Sequence, residues 1–347
     1  MANAKRKTKR APARKTAPRA AALSAKQTTA GVLGALCALW LVYATLTLSP
    51  FSWGTLAEEL ILALCALFAL RLLCFTRLPN GLIAACLILL PAGIVLYGAY
   101  AAANLNADFA RALCLAGTAA IVLLTARALD ERADGVVLAA LLFCAALPVL
   151  FAADTLLIEE FARLLLAASV LAAVAALREK AVWFAFLAAG LTGMAGAAGY
   201  FAALYGAGIG AALLVCAPKK QKNLWTFAAL LAGGLPLAVR LLMLARLPAE
   251  AVLLQENLLA PGAAAVAIAP HLLRIYAVGA LLFSVRCALG REGAAALPVL
   301  FALIGAAAFR LAAPALSPDV WMDAPLLCVL AAVGTAKTGR AKGRRYA

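Results

Sequence analysis

The stretch NLWTFAALLAGGLPLAVRLLMLARLPAEAVLLQENLLAPGAAAVAIAPHLLRIYAVGALLF, Asn223 to Phe283, decides how the chain is read. It opens on an apolar run about 20 residues long, the length that crosses the hydrocarbon of a bilayer. Arg240 interrupts that run and Arg246 closes it. A loop carrying Glu250 and Glu256 follows, then the sole histidine, His271, with Arg274 three residues on at the head of the next apolar run. Two long apolar runs with their charges gathered at the junction read as a membrane hairpin, and the junction is where polar chemistry can sit.

Working outward, the same pattern repeats across all 347 residues. The chain is 66% hydrophobic and 13% charged, against about 25% charged residues in soluble domains. Leu and Ala dominate the runs without the apolar–polar alternation of a barrel, so helices are expected. Twelve spans fit: 30–48, 57–76, 81–101, 108–126, 135–153, 156–177, 181–198, 200–217, 224–244, 265–289, 294–312 and 324–336. The expected fold is an all-α polytopic membrane bundle of about 12 transmembrane helices. It divides into a basic tail over 1–29, a transmembrane domain over 30–336 and a second basic tail over 337–347.

The formal charge of +16 is concentrated in the tails. Lys5 to Lys26 supply nine basic residues and Lys337 to Arg345 five, leaving 17 basic against 15 acidic residues in the body. Low-complexity basic tails without interleaved aromatics are expected to be disordered and to meet anionic lipid headgroups rather than nucleic acid. The first span has no small-residue cleavage site before Ser49-Pro50, so it reads as a retained helix.

The charges orient the bundle. With the N-terminus inside, every lysine of the body (Lys180, Lys219, Lys220, Lys222) lies in an inner loop, and ten of the fifteen acids lie outside. The positive-inside rule therefore places both termini in the cytoplasm of a plasma (inner) membrane. Trp53 and Trp321 fall at outer boundaries and Trp183 and Trp225 at inner ones, as interfacial anchors. The run Gly190, Gly193, Gly196, Gly199, Gly206, Gly208, Gly210 reads either as close helix packing or as broken helices at a binding site. All nine cysteines lie within apolar runs without a metal-binding spacing, so no metal and no cofactor are expected.

Six arginines sit at the outer ends against the inside bias: Arg111, Arg163, Arg240, Arg246, Arg274 and Arg310. Arg111 is spaced to pair with Asp108, Arg163 with Glu160 or Glu159, and Arg246 with Glu250. Arg240, Arg274 and Arg310 have no acid along their own helix. Guanidinium forks suit phosphate and carboxylate, so these residues read as an outward-facing anion site, or as groups that snorkel or pair with a neighbouring helix. Histidine titrates near neutral pH, which makes His271 the candidate general base.

Twelve helices, a largest outer loop between spans nine and ten, and the segment APHLLRIYAVG (Ala269 to Gly279) resemble the O-antigen ligase and Wzy-type polymerase superfamily. That resemblance implies a glycan transferase using a polyprenyl-phosphate-linked substrate on the outer face. It implies His271 as base or orienting residue and Arg240, Arg246 or Arg274 as diphosphate ligands; Arg310 is a further substrate-binding candidate by its position at an outer end. The chain departs from that pattern at the loop Leu247 to Pro270, which is shorter than the family's. Two other readings stand beside it: a transporter or flippase of an anionic substrate lined by Arg240 and the glycine-rich helices, and a scaffold whose tails recruit lipid or partners.

Overall fold

The computed structural model describes residues 25–48, 52–73, 78–105, 109–152, 157–246, 263–290, 293–313 and 320–337. Among them are twelve α-helices and no strand: α1 (Ala25–Leu48), α2 (Trp53–Leu73), α3 (Gly81–Leu105), α4 (Phe109–Leu129), α5 (Ala133–Ala152), α6 (Leu157–Glu179), α7 (Val182–Ala195), α8 (Phe201–Cys216), α9 (Lys222–Leu244), α10 (Ala263–Ala288), α11 (Leu297–Ala312) and α12 (Ala324–Lys337). Each falls on one of the expected spans, with ends moved by a few residues. Helix α1 begins inside the stretch assigned to the first tail. The remaining tail residues, the loop with Glu250 and Glu256, and the acids Asp108, Asp154 and Asp319 lie outside the described residues.

Seven of these helices, α3, α4, α5, α6, α9, α10 and α11 with its leading turn, are long and apolar enough to cross a membrane. The chain is an all-helical, multi-pass membrane protein. Bilayer-facing leucines and isoleucines line it, as on α3, where Ile88, Leu89 and Leu96 are exposed. Helices α7, α8 and α12 have 14, 16 and 14 residues, which is about 21–24 Å of helix against about 30 Å of hydrocarbon.

The shortness of α12 is explained by where it lies. Every residue from Ala324 to Ala336 is buried, and the helix packs against α4, α5 and α10. A helix enclosed by other helices never meets lipid, so hydrophobic mismatch does not act on it, and protein groups satisfy its ends. The Arg286 guanidinium of α10 donates to the Lys337 carbonyl, and Lys337 Nζ donates to the Leu129 carbonyl at 2.7 Å.

Helices α7 and α8 form a short hairpin wrapped by α9 and α11. Pro236 in mid-α9 has no N–H, so the Ala232 carbonyl one turn earlier loses its helical donor. The Thr192 hydroxyl of α7 reaches that carbonyl at 3.0 Å, beside its own-helix contact with Ala189 O at 2.9 Å. From Gly206 to Gly210 the glycine run is close packing, whereas Gly190 faces open space. A Cβ at Gly206 or Gly210 would strike the α9 carbonyls of Ala232 or Ala229, and one at Gly208 would strike Phe301 of α11.

Two tryptophans depart from expectation. Trp225 is 0% exposed and Trp321 3%, so protein surrounds them where headgroups were expected. Trp321 packs edge-on against Tyr276, with ring centroids 6.3 Å apart. Trp53 and Trp183, at helix starts, are exposed.

Candidate functional site

Side-chain contacts show that the helices alternate in direction. The starts of even-numbered helices meet one another and the ends of odd-numbered ones: Glu59 of α2 meets His271 and Arg274 of α10, and Arg111 of α4 meets Glu160 of α6. Likewise Tyr205 of α8 and Arg310 of α11 meet Asp323 at the start of α12. This acidic-loop end carries all five candidate residues. The opposite end carries Lys180, Lys219, Lys222 and Lys337.

At the acidic-loop end each arginine has a specific use. Arg274 is buried and ion-pairs with Glu59, and His271 Nδ1 stands 3.7 Å from the same carboxylate. Arg310 Nη2 donates to Asp323 Oδ2 at 2.8 Å, and the Tyr205 hydroxyl donates to Asp323 Oδ1 at 3.1 Å. Arg163 Nη1 meets Glu160 Oε2 at 2.5 Å, the spacing the sequence implied. The partner expected for Arg111, Asp108, lies outside the described residues. Arg111 stands 3.5 Å from Glu160 on α6 and donates to the Leu150 carbonyl at 3.2 Å.

Arg240 reaches the α7–α8 turn: its Nη1 donates to the Ala197 carbonyl at 3.1 Å, and its guanidinium lies 5.5 Å from the centre of the Tyr200 ring. The reason is geometric. Because α7 stops short, its terminal carbonyls lie below the level of the α9 end, at the depth of Arg240. A cation there caps the helix and meets the negative end of its dipole. Arg111 does the same for the last turn of α5 through Leu150. At the opposite end Arg178 caps α4 through the Ala128 carbonyl at 2.6 Å. Arg246 is exposed at the end of α9.

The candidates therefore fall into three places rather than one. His271 and Arg274 share Glu59, where α2 packs on α10. Arg310 belongs to the Tyr205–Asp323 cluster. Arg240 and Arg246 sit on α9, which packs against α7 and α8. No family model, curated protein or solved structure matches the chain. The geometry of these places therefore carries the functional reading.

Sequence reasoning missed the carboxylates that organise two of the three places, Glu59 beside His271 and Arg274 and Asp323 beside Arg310. Glu59 and Glu160 are each the second glutamate of a Glu-Glu pair in the first turns of an even-numbered helix, and each meets two basic side chains. The signal was the likeness between AEELILALCALFALR (Ala57 to Arg71) and IEEFARLLLAASVLAAVAALR (Ile158 to Arg178), too weak by itself to count as a repeat.

The first place has the parts for proton transfer at a surface. The His271 imidazole is 62% exposed, its Nδ1 faces a carboxylate, and its Nε2 is the nitrogen left to meet a substrate. Arg274 shares that carboxylate from below.

Proposed function

We propose that the protein is a twelve-crossing inner-membrane glycan transferase with both termini in the cytoplasm, acting on a polyprenyl-phosphate-linked donor at its acidic-loop, extracytoplasmic end. The observation that carries the reading is Glu59, which comes from α2 to stand behind His271 and to hold Arg274. In the proposed reaction His271 Nε2 takes the proton of an acceptor sugar hydroxyl as its oxygen attacks the anomeric carbon. The bond from that carbon to the phosphate oxygen breaks, and the lipid diphosphate leaves with the electron pair. Arg240, Arg274 and Arg310 hold the surrounding helix ends.

The orientation rests on the lysines at one end of the alternating helices and the glutamate pairs at the other. The test of the reaction is glycan transfer by purified His271→Ala and Glu59→Gln proteins. Loss of turnover with an unchanged thermal transition supports the reading, and full turnover by His271→Ala overturns it.

A second reading, a transporter or flippase of an anionic substrate, is favoured by Arg240, buried four residues inside the end of α9 beside the α7–α8 hairpin. It reverses the ranking of the variants. Arg240→Ala then abolishes movement of the substrate and His271→Ala leaves it nearly intact.

A further inference from the structure

Between α6, α7 and α9 lies a cavity of about 470 Å³ lined by Phe161, Leu165, Gly190, Met194, Leu235 and Val239 among others. Its walls are apolar, and exposed Phe161 and Met194 stand among its lining residues. It exists for two reasons. Helix α7 is too short to fill the space beside α6 and α9, and Gly190 and Gly193 present no side chain to it. A Cβ at Gly190 meets nothing within 4 Å.

One end of this groove is charged. Val239, in its wall, and Arg246 are seven residues apart on α9. Two helical turns return to the same face, about 10 Å further along. Arg246 follows the last residue of α9 by two, its N–H bonded to the Met243 carbonyl, so the chain there continues the coil of the helix. Arg246 is exposed where α9 ends, which is headgroup depth for a helix of 23 residues. Ala197, also in the wall, is the residue whose carbonyl Arg240 caps.

We infer that this groove holds one acyl chain of an anionic glycerophospholipid whose phosphate lies on Arg246. The apolar wall carries no polar group to select among hydrocarbon chains, so the occupant is the lipid the bilayer supplies in bulk, and Arg246 sets the preference for a negative headgroup. The site is separate from the place where His271 and Glu59 meet and does not depend on the transferase reading.

The test is native mass spectrometry of the full chain taken from vesicles of equal parts phosphatidylglycerol and phosphatidylcholine, with and without added polyprenyl phosphate. The wild-type protein is expected to retain one phosphatidylglycerol. Gly190→Leu, which fills the groove from a position that meets nothing, is expected to cut retention about tenfold with the thermal transition unchanged. Arg246→Gln, a change at an exposed position, is expected to retain lipid but lose the preference for phosphatidylglycerol. Equal retention by Gly190→Leu and wild type overturns the proposal, as does equal retention of the two phospholipids by the wild type. Displacement of phosphatidylglycerol by polyprenyl phosphate also overturns it, and assigns the groove to the lipid carrier instead.

Discussion

Arg163 and Glu160 meet at 2.5 Å one turn into α6, with side chains 1% and 0% exposed, and Arg111 approaches the same carboxylate from α4 at 3.5 Å. One glutamate thus holds two guanidiniums from two helices away from water. Removing one member of such a group strands charge in a medium of low dielectric.

Glu160→Gln is therefore expected to destabilise the bundle by about 3–5 kcal/mol, the usual cost of breaking a buried ion pair from one side. Replacing Glu160 and Arg163 together with methionine is expected to cost less than Glu160→Gln alone. Thermal unfolding in detergent compares the two directly.

At the start of α12, Tyr205 and Arg310 share Asp323. Tyr205→Phe removes one hydrogen bond to a charged group and is expected to cost about 1.5–3 kcal/mol. Asp323→Asn leaves Arg310 without its carboxylate partner and is expected to cost more. The order of the two midpoints is the check.

The glycine packing gives a contrast between positions of the same residue type. Gly206→Ala places a Cβ on the Ala232 carbonyl and pries α8 from α9, at an expected cost of about 1–3 kcal/mol. Gly234→Ala, one helix away, meets nothing within 4 Å and is expected to stabilise by up to about 1 kcal/mol through helix propensity. Thermal midpoints of the two variants should move in opposite directions.

Arg240→Ala uncaps the end of α7 and removes the guanidinium beside Tyr200. Because the rest of α7 remains packed on α6 and α9, the loss is expected to be local, about 1–2 kcal/mol. Hydrogen exchange should speed up at residues 195–200 and remain unchanged in α12.

The helices were legible because hydrophobic run length and short charged loops are local properties. Even the span at 324–336, too short to cross a bilayer by itself, was visible as an apolar run. Its central position was not, because nothing in a run of Leu, Ala and Val says whether lipid or protein surrounds it. The same blindness applies to Trp225 and Trp321, whose loop-proximal positions suggested anchors and whose actual surroundings are other helices. Arg163 was legible because its partner lies on its own helix. The partners of Arg274 and Arg310 come from other helices, 215 and 13 residues away in the chain, and Glu59 and Asp323 carried no mark that would single them out. Arg240 was recognised as deep in its span. Its reason depends on the shortness of α7 and on how that helix packs, which only the assembled bundle displays.

The whole account depends on the acidic-loop end facing away from the cytoplasm, and thiol accessibility tests that most directly. In a background lacking the nine native cysteines, single variants His271→Cys and Lys219→Cys place a thiol at an exposed position on each end. A membrane-impermeant maleimide applied to intact cells, or to spheroplasts where an outer membrane intervenes, is predicted to label position 271 and to reach position 219 only after permeabilisation. Labelling of 219 without permeabilisation, with 271 protected, would contradict the orientation and the placement of the proposed site with it.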